Sequence, residues 1–195
     1  IDDLPGALAD PDPTNGTDTI RGGEGNDTIY GQDDDDVLYG GAGDDWVDGG
    51  IDEDELYGDS GYDVLLGGQG DDTLDGGTGE DFLWGGEGAD TADGGDDRDI
   101  IGAGIGDTII GGEGGDDLDT LIAKGLATVA YTDGDPSTES GIVTFYNPDL
   151  TVSGTAEFSE IENTLVIGVY GGPDGGPGGG PGGPGIASID GVVQG

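Results

Sequence analysis

Histidine, cysteine and methionine are all missing from this chain of 195 residues, and cations are scarce: Lys plus Arg total 3 against 45 Asp plus Glu. Each absence excludes a chemistry. Without His or Cys there is no catalytic triad, thiol nucleophile, zinc finger, haem ligand or iron–sulfur cluster. No disulfide can form, so cysteine usage says nothing about redox compartment. Three cations cannot neutralise a track of phosphates, which makes nucleic acid a poor partner. No apolar run approaches the ~18 residues of a membrane span. The chain opens on Ile1 with no visible signal peptide, which suggests a processed or excised chain.

What is present is equally one-sided. The formal net charge is −42, and Gly accounts for 48 of 195 residues. That is about a quarter of the chain, against a usual ~7 %. The length suits one ordinary domain or two small ones. Composition alone points to disorder, because high charge and few apolar residues leave little to bury.

The order of the residues reverses that reading. Asp recurs at 18, 27, 36, 45, 54, 63, 72, 81, 90 and 99, an unbroken spacing of nine. Two residues after each stands an apolar side chain: Ile20, Ile29, Leu38, Val47, Leu56, Leu65, Leu74, Leu83, Ala92 and Ile101. One residue is then lost, and Asp107/Ile109 and Asp116/Leu118 resume the spacing. A complete unit is Gly22-Gly23-Glu24-Gly25-Asn26-Asp27-Thr28-Ile29-Tyr30, repeated closely from Gly67 to Asp75 and from Gly76 to Trp84. The pattern is G-G-x-G-x-D-x-U-x, with U large and apolar; its positions are numbered 1 to 9 below.

Twelve units in register, over roughly Asn15 to Asp119, resemble the RTX, or haemolysin-type calcium-binding, nonapeptide repeat family. The resemblance implies an all-β fold, a right-handed parallel β-roll or solenoid. It implies bound Ca²⁺ at Asp18, Asp27, Asp36, Asp45, Asp54, Asp63, Asp72, Asp81, Asp90, Asp99, Asp107 and Asp116. With them it implies the position-1 carbonyls of Gly22, Gly31, Gly40, Gly49, Gly58, Gly67, Gly76, Gly85 and Gly94. The position-3 carbonyls of Glu24, Asp33, Ala42, Ile51, Ser60, Gln69, Thr78, Glu87 and Asp96 complete the implied set.

The residues support this on physical grounds. Gly supplies turns with positive φ and lets carbonyls converge. The last three residues of each unit read as a short strand with U inward. Two units make one coil of about 18 residues, so units n and n+2 stack and the U side chains form a thin core. Such a core is too small to offset chain entropy alone. Stacked carboxylates would repel without a cation between them. An all-oxygen, anionic and carbonyl ligand set suits Ca²⁺, and suits Mg²⁺ less well, since Mg²⁺ demands a small octahedron. Zinc and copper lack their ligands. Six turns a side leave about five gaps a side, hence roughly ten Ca²⁺.

Some positions depart from the pattern. Position 4 is Asp34, Asp52 and Asp97 in three units, which would add ligands or distort the loop. Ala92 thins the core. The aromatics Tyr30, Tyr39, Trp46, Tyr57 and Trp84 sit at outward positions, where they would cover neighbouring strands or form a surface for an assembly partner. Position 7 is too ragged for an ice-binding row of Thr.

Composition changes from Thr120. Short β-type runs with turn signals mark 120–170 as a β cap closing the roll, after an N-terminal lead-in over 1–14 and the roll itself over 15–119. Phe158-Ser-Glu-Ile-Glu-Asn163 looks like a segment that closes RTX arrays. Residues 171–185 read as a Gly/Pro linker and 186–195 as the start of a further repeat block, so the chain reads as a piece of a longer protein. The resemblance implies secretion through a type I system of a Gram-negative bacterium and folding at the cell surface or outside. Two roles follow: a non-enzymatic structural or adhesive segment, or the secretion and folding module of a protease or lipase whose catalytic domain lies elsewhere. A glycosidase-like carboxylate pair is a third idea, but the repeat already accounts for every conspicuous carboxylate.

Overall fold

The computed structural model describes residues 7–9, 16–112, 118–131 and 140–167, and all regular structure in them is β-strand. From β1 to β13 the strands fall alternately into two sheets. The first contains β1 (Ala7–Ala9), β3 (Thr28–Gln32), β5 (Trp46–Ile51), β7 (Val64–Gln69), β9 (Phe82–Glu87), β11 (Ile100–Ala103), β13 (Thr120–Lys124) and β17 (Asn163–Ile167). The second contains β2 (Thr19–Glu24), β4 (Val37–Ala42), β6 (Glu55–Ser60), β8 (Thr73–Thr78), β10 (Thr91–Asp96) and β12 (Thr108–Ile110). It continues through β16 (Val152–Ser159), β15 (Gly141–Tyr146) and β14 (Ala127–Tyr131).

Within the repeats every pairing is parallel and one coil apart, as in Val47↔Leu65 and Leu38↔Leu56. Parallel neighbours need a long crossover, commonly a helix. Here the opposite strand of the same coil is the crossover. The result is the expected parallel β-roll. Its core is the single file of U side chains from each sheet: Ile29 to Ile101 at spacing nine, then Ile109, all buried. Ala92 keeps its place in that file, fully buried.

The strands are longer than the three residues read from the pattern. Most run six residues, through positions 7, 8, 9, 1, 2 and 3, because the ladder continues across the glycines: Gly23 pairs with Gly41 and Glu24 with Ala42. Position 1 therefore faces inward with U, and both are buried in units such as Val37–Ala42.

The outward positions differ between sheets. On the second, Tyr39 and Tyr57 stack at 4.8 Å and Arg21 lies 4.0 Å over the Tyr39 ring. On the first, Trp84 lies over Gly102, where a Cβ would collide with its ring, and Lys124 caps it at 3.7 Å. These aromatics therefore cover neighbouring strands. Trp46 remains 42 % exposed.

Past the repeats, β13 and β17 extend the first sheet in parallel. In the second sheet β16 pairs in parallel with β12, and β14, β15 and β16 pair antiparallel. Val143, Phe145, Ala156 and Phe158 join the core there. The sequence readings of a linker at 171–185 and a further repeat block at 186–195 lie outside the described residues, as does most of the lead-in.

Candidate metal centre

The turns stack into two columns, one at each side of the roll. Asp18, Asp36, Asp54, Asp72, Asp90 and Asp107 stand in one, and Asp27, Asp45, Asp63, Asp81 and Asp99 in the other. Each repeat Asp does the same work. Its Oδ1 accepts the backbone N–H of the repeat Asp one coil earlier: Asp27 N–H donates to Asp45, Asp45 to Asp63 and Asp63 to Asp81, all at 2.7 Å. Asp81 N–H donates to Asp99 at 2.8 Å. In the first column Asp18 donates to Asp36 and Asp36 to Asp54 at 2.8 Å, Asp54 to Asp72 at 2.9 Å, Asp72 to Asp90 at 3.0 Å and Asp90 to Asp107 at 3.1 Å. The Asp carbonyl meanwhile accepts the N–H of the next coil's position 7, as Trp46 N–H does with Asp27.

In most of the repeat Asp residues the second carboxylate oxygen has no such partner, although Asp107 Oδ2 accepts the Gly104 amide. The Oδ2 atoms of Asp27, Asp45, Asp54, Asp63, Asp72, Asp81, Asp90 and Asp99 are buried and accept no hydrogen bond. Buried carboxylate oxygens without a partner are costly. Position 1 explains how they fit. A Cβ on Gly58 would lie 2.6 Å from Asp63 Oδ2 and would strike the Gly76 carbonyl oxygen of the next coil. Gly22, Gly40 and Gly76 face Asp27, Asp45 and Asp81 at 2.6, 2.5 and 2.7 Å in the same way. The glycine is required because a carboxylate oxygen and a carbonyl oxygen occupy the space a side chain would take.

The position-1 carbonyl oxygens of Gly40, Gly58, Gly67, Gly76, Gly85 and Gly94 lie within 3.0 Å of the same Cβ positions, so each cradle brings a carbonyl and a carboxylate oxygen together. The position-3 carbonyls of Ala42, Ser60, Thr78, Glu87 and Asp96 are engaged by the position-4 amides of Gly25, Gly43, Gly61, Gly70 and Gly79. Each keeps one lone pair. Ile51 and Gln69 border an open groove at the turns with Asp35, Asp52 and Glu53. The Asp residues at position 4 keep the positive φ of the loop. Asp34, Asp52 and Asp97 hold φ of 76°, 80° and 79°, positive like the 89° to 150° of the position-4 glycines in other units. Asp tolerates that region better than most residues. Asp34 and Asp52 add rungs of their own, accepting the amides of Gly16 and Asp34.

The electrostatics ask for a cation. Burial, opposed by the backbone hydrogen bond and reinforced by neighbouring carboxylates, pushes Asp54, Asp63 and Asp81 up to about 7. Asp72 and Asp90 rise to about 6 and Asp99 to about 8 for the same leading reason. The protein's own cations do not help. Arg21 and Lys124 sit on aromatic rings, and Arg98 pairs with Glu80 on the exterior. Among the described residues no group of three or more carboxylates meets at one point. An ion here would draw on carbonyls as well as carboxylates, the ligand mixture of Ca²⁺. The donor set fits.

At the end of the array the ladder leaves the count of nine. Asp116 lies outside the described residues, and Leu118, its supposed core partner, is 51 % exposed. Leu121 is the buried residue, and Asp119 carries the ladder on, accepting the Asp99 amide at 2.8 Å. The insertion between Asp107 and Asp119 breaks the count of nine. The local triplet Asp119-Thr120-Leu121 repeats Asp72-Thr73-Leu74 and was the available signal. Glu162 was also missed: its Oε2 accepts the Asp119 amide at 2.6 Å.

No curated protein matches the chain. The family model for the RTX calcium-binding nonapeptide repeat, which spans four copies, matches at residues 12–47, 30–65, 48–83, 66–101 and 75–110. Those overlapping matches run from 12 to 110, half of the chain, over the same coils that carry the carboxylate ladder. The chain belongs to the RTX calcium-binding nonapeptide repeat family.

Proposed function

We propose that this chain is an extracellular calcium-binding β-roll that folds when it binds Ca²⁺. It serves as a structural or adhesive segment of a larger secreted or surface protein of a Gram-negative bacterium, exported through a type I system. The observation that carries the reading is the double column of carboxylates, most of them buried with one oxygen spent on a backbone amide and the other pressed beside a carbonyl oxygen of the next coil. The ladder has five rungs per column among the described residues, which supports roughly ten ions.

The mechanism is linkage. Calcium is roughly micromolar or lower inside cells, and extracellular modules bind it with Kd of about 10⁻⁴–10⁻³ M. In the cytoplasm the carboxylates repel and the chain stays open, which suits passage through a narrow export channel. Outside, ions bind only the stacked form, so binding free energy becomes folding free energy. When bound, calcium supplies positive charge between layers. The chain's residues do the rest: Oδ1 fixes the layer spacing, position-1 glycines leave room for the carboxylates, and the U file aligns the coils.

Circular dichroism in EGTA and in ~10 mM Ca²⁺ tests this. A β signal that grows cooperatively with Ca²⁺ is expected. Equal β signal in both solutions at pH 8 would overturn calcium-driven folding.

A further inference from the structure

We propose that the last cation site of the second column lies between Asp99 and Asp119, outside the nine-residue register, and that Glu162 from the segment after the roll closes it. The inference rests on the calcium reading above and adds a site that joins the roll to its end.

Two signatures mark every regular layer: the Asp amide donates to the Oδ1 of the next coil's Asp, and the position-1 glycine is pressed by its own Asp Oδ2 and by a carbonyl of the next coil. Both recur past the repeat match. Asp99 N–H donates to Asp119 Oδ1 at 2.8 Å. The cradle at Gly94 holds Asp99 Oδ2 against the Gly111 carbonyl, which would lie 2.5 Å from a Cβ there. Asp99 is 1 % exposed and its Oδ2 accepts no hydrogen bond, so an unsatisfied oxygen points into this gap. One layer on, Asp119 Oδ2 lies 2.5 Å from the Cβ position of Gly111, and the Glu160 carbonyl closes the other side. Glu162 Oε2 then takes the Asp119 amide.

Glu160 and Glu162 therefore stand where positions 1 and 6 of a further unit would stand. Regular units separate these positions by five residues; here the separation is two. The extra methylene of Glu supplies reach that the shortened turn lacks. Glu162 is a positioning residue: it holds Asp119 against the gap and adds negative charge beside the ion. The ligand class is a hard divalent cation with oxygen ligands. Filling the site would fasten β16, and with it β14 and β15, to the roll.

The test is calcium titration calorimetry on the whole chain, with amide hydrogen exchange across β15 and β16. Asp119→Asn is expected to lose one ion and Asp116→Asn none. Glu162→Gln keeps an acceptor for the Asp119 amide but removes the charge, and should weaken one ion about tenfold, since ligand charge tunes affinity. Exchange protection of β16 should then need more calcium than in the parent chain. Asp119→Asn binding like the parent, or Asp116→Asn losing the ion, would overturn the proposal. So would a Glu162→Gln that leaves every affinity unchanged. Asp63→Asn is the control for the wider reading: if it too titrates like the parent, the calcium ligands themselves are misassigned.

Discussion

Asp63 shows what one repeat residue contributes. Its Oδ1 holds the Asp45 amide at 2.7 Å, while its Oδ2 is buried without a hydrogen-bond partner. Hydrogen bond and charge can be separated by substitution. Asp63→Asn keeps the acceptor and the shape but removes the charge. The metal-free roll should then gain stability at pH 8, because a buried carboxylate pushed up to about 7 no longer has to ionise there. Calcium affinity should fall. The residual β signal in EGTA should rise while calcium affinity falls; a change of both in the same direction contradicts the assignment. Gly58 tests the partner position. Gly58→Ala places a Cβ 2.6 Å from Asp63 Oδ2 and against the Gly76 carbonyl oxygen, which the backbone holds in place. The strain should cost about 1–3 kcal/mol in the calcium-loaded form, measured by denaturant unfolding. The sequence displayed both residues openly, since spacing alone marked the Asp and the Gly. It could not show that Oδ1 is spent on a backbone amide, because that depends on the distance between coils.

At the level of strands and turns, one side chain per strand carries the core. Leu65 is wholly buried in β7 within the single file, paired with Val47 below and Leu83 above. Neighbouring U residues are held by the ladders on both sides, so a cavity there cannot collapse. Leu65→Ala should cost about 2–5 kcal/mol in saturating calcium, read from denaturant midpoints at unchanged slope. A cost under ~1 kcal/mol would mean that the file is not the source of cohesion. Alternation of the strands between two sheets was legible from the count of nine, because two units complete a coil. Strand length was not: glycine pairs read as turn, yet the parallel ladder runs through them with position 2 at positive φ, as at Gly41 and Gly68. The end of the array departs from the count of nine for a related reason. A nine-residue count from Asp107 reaches Asp116, whereas pairing of β13 with β11 selects Asp119 and Leu121. Sheet register, a long-range property, overrode local arithmetic. The antiparallel hairpin of β14, β15 and β16 left no periodic trace at all.

For the whole molecule, a net charge of −42 opposes compaction unless something offsets it. Protons and calcium compete for that task, and the competition fixes a pH dependence. Unfolded carboxyls titrate near 3.9. In the roll, burial raises Asp72 and Asp90 to about 6, Asp54, Asp63 and Asp81 to about 7 and Asp99 to about 8. Between about pH 4 and pH 8 the folded form therefore holds more protons than the unfolded one. Stability of the metal-free roll rises as pH falls through that window and is lost as pH climbs through 6 to 8. Calcium binding must expel the same protons, so its affinity should increase from pH 6 to pH 8 and level off above. Calorimetric titration at pH 6, 7 and 8, in buffers of differing ionisation enthalpy, would count the protons released. Release should be largest near pH 6 and small near pH 8. Where the β signal at pH 6 shows that the metal-free form is already rolled, constant affinity with no proton release would show that the buried carboxylates are ionised without metal. The roll would then have to tolerate their repulsion by some other means.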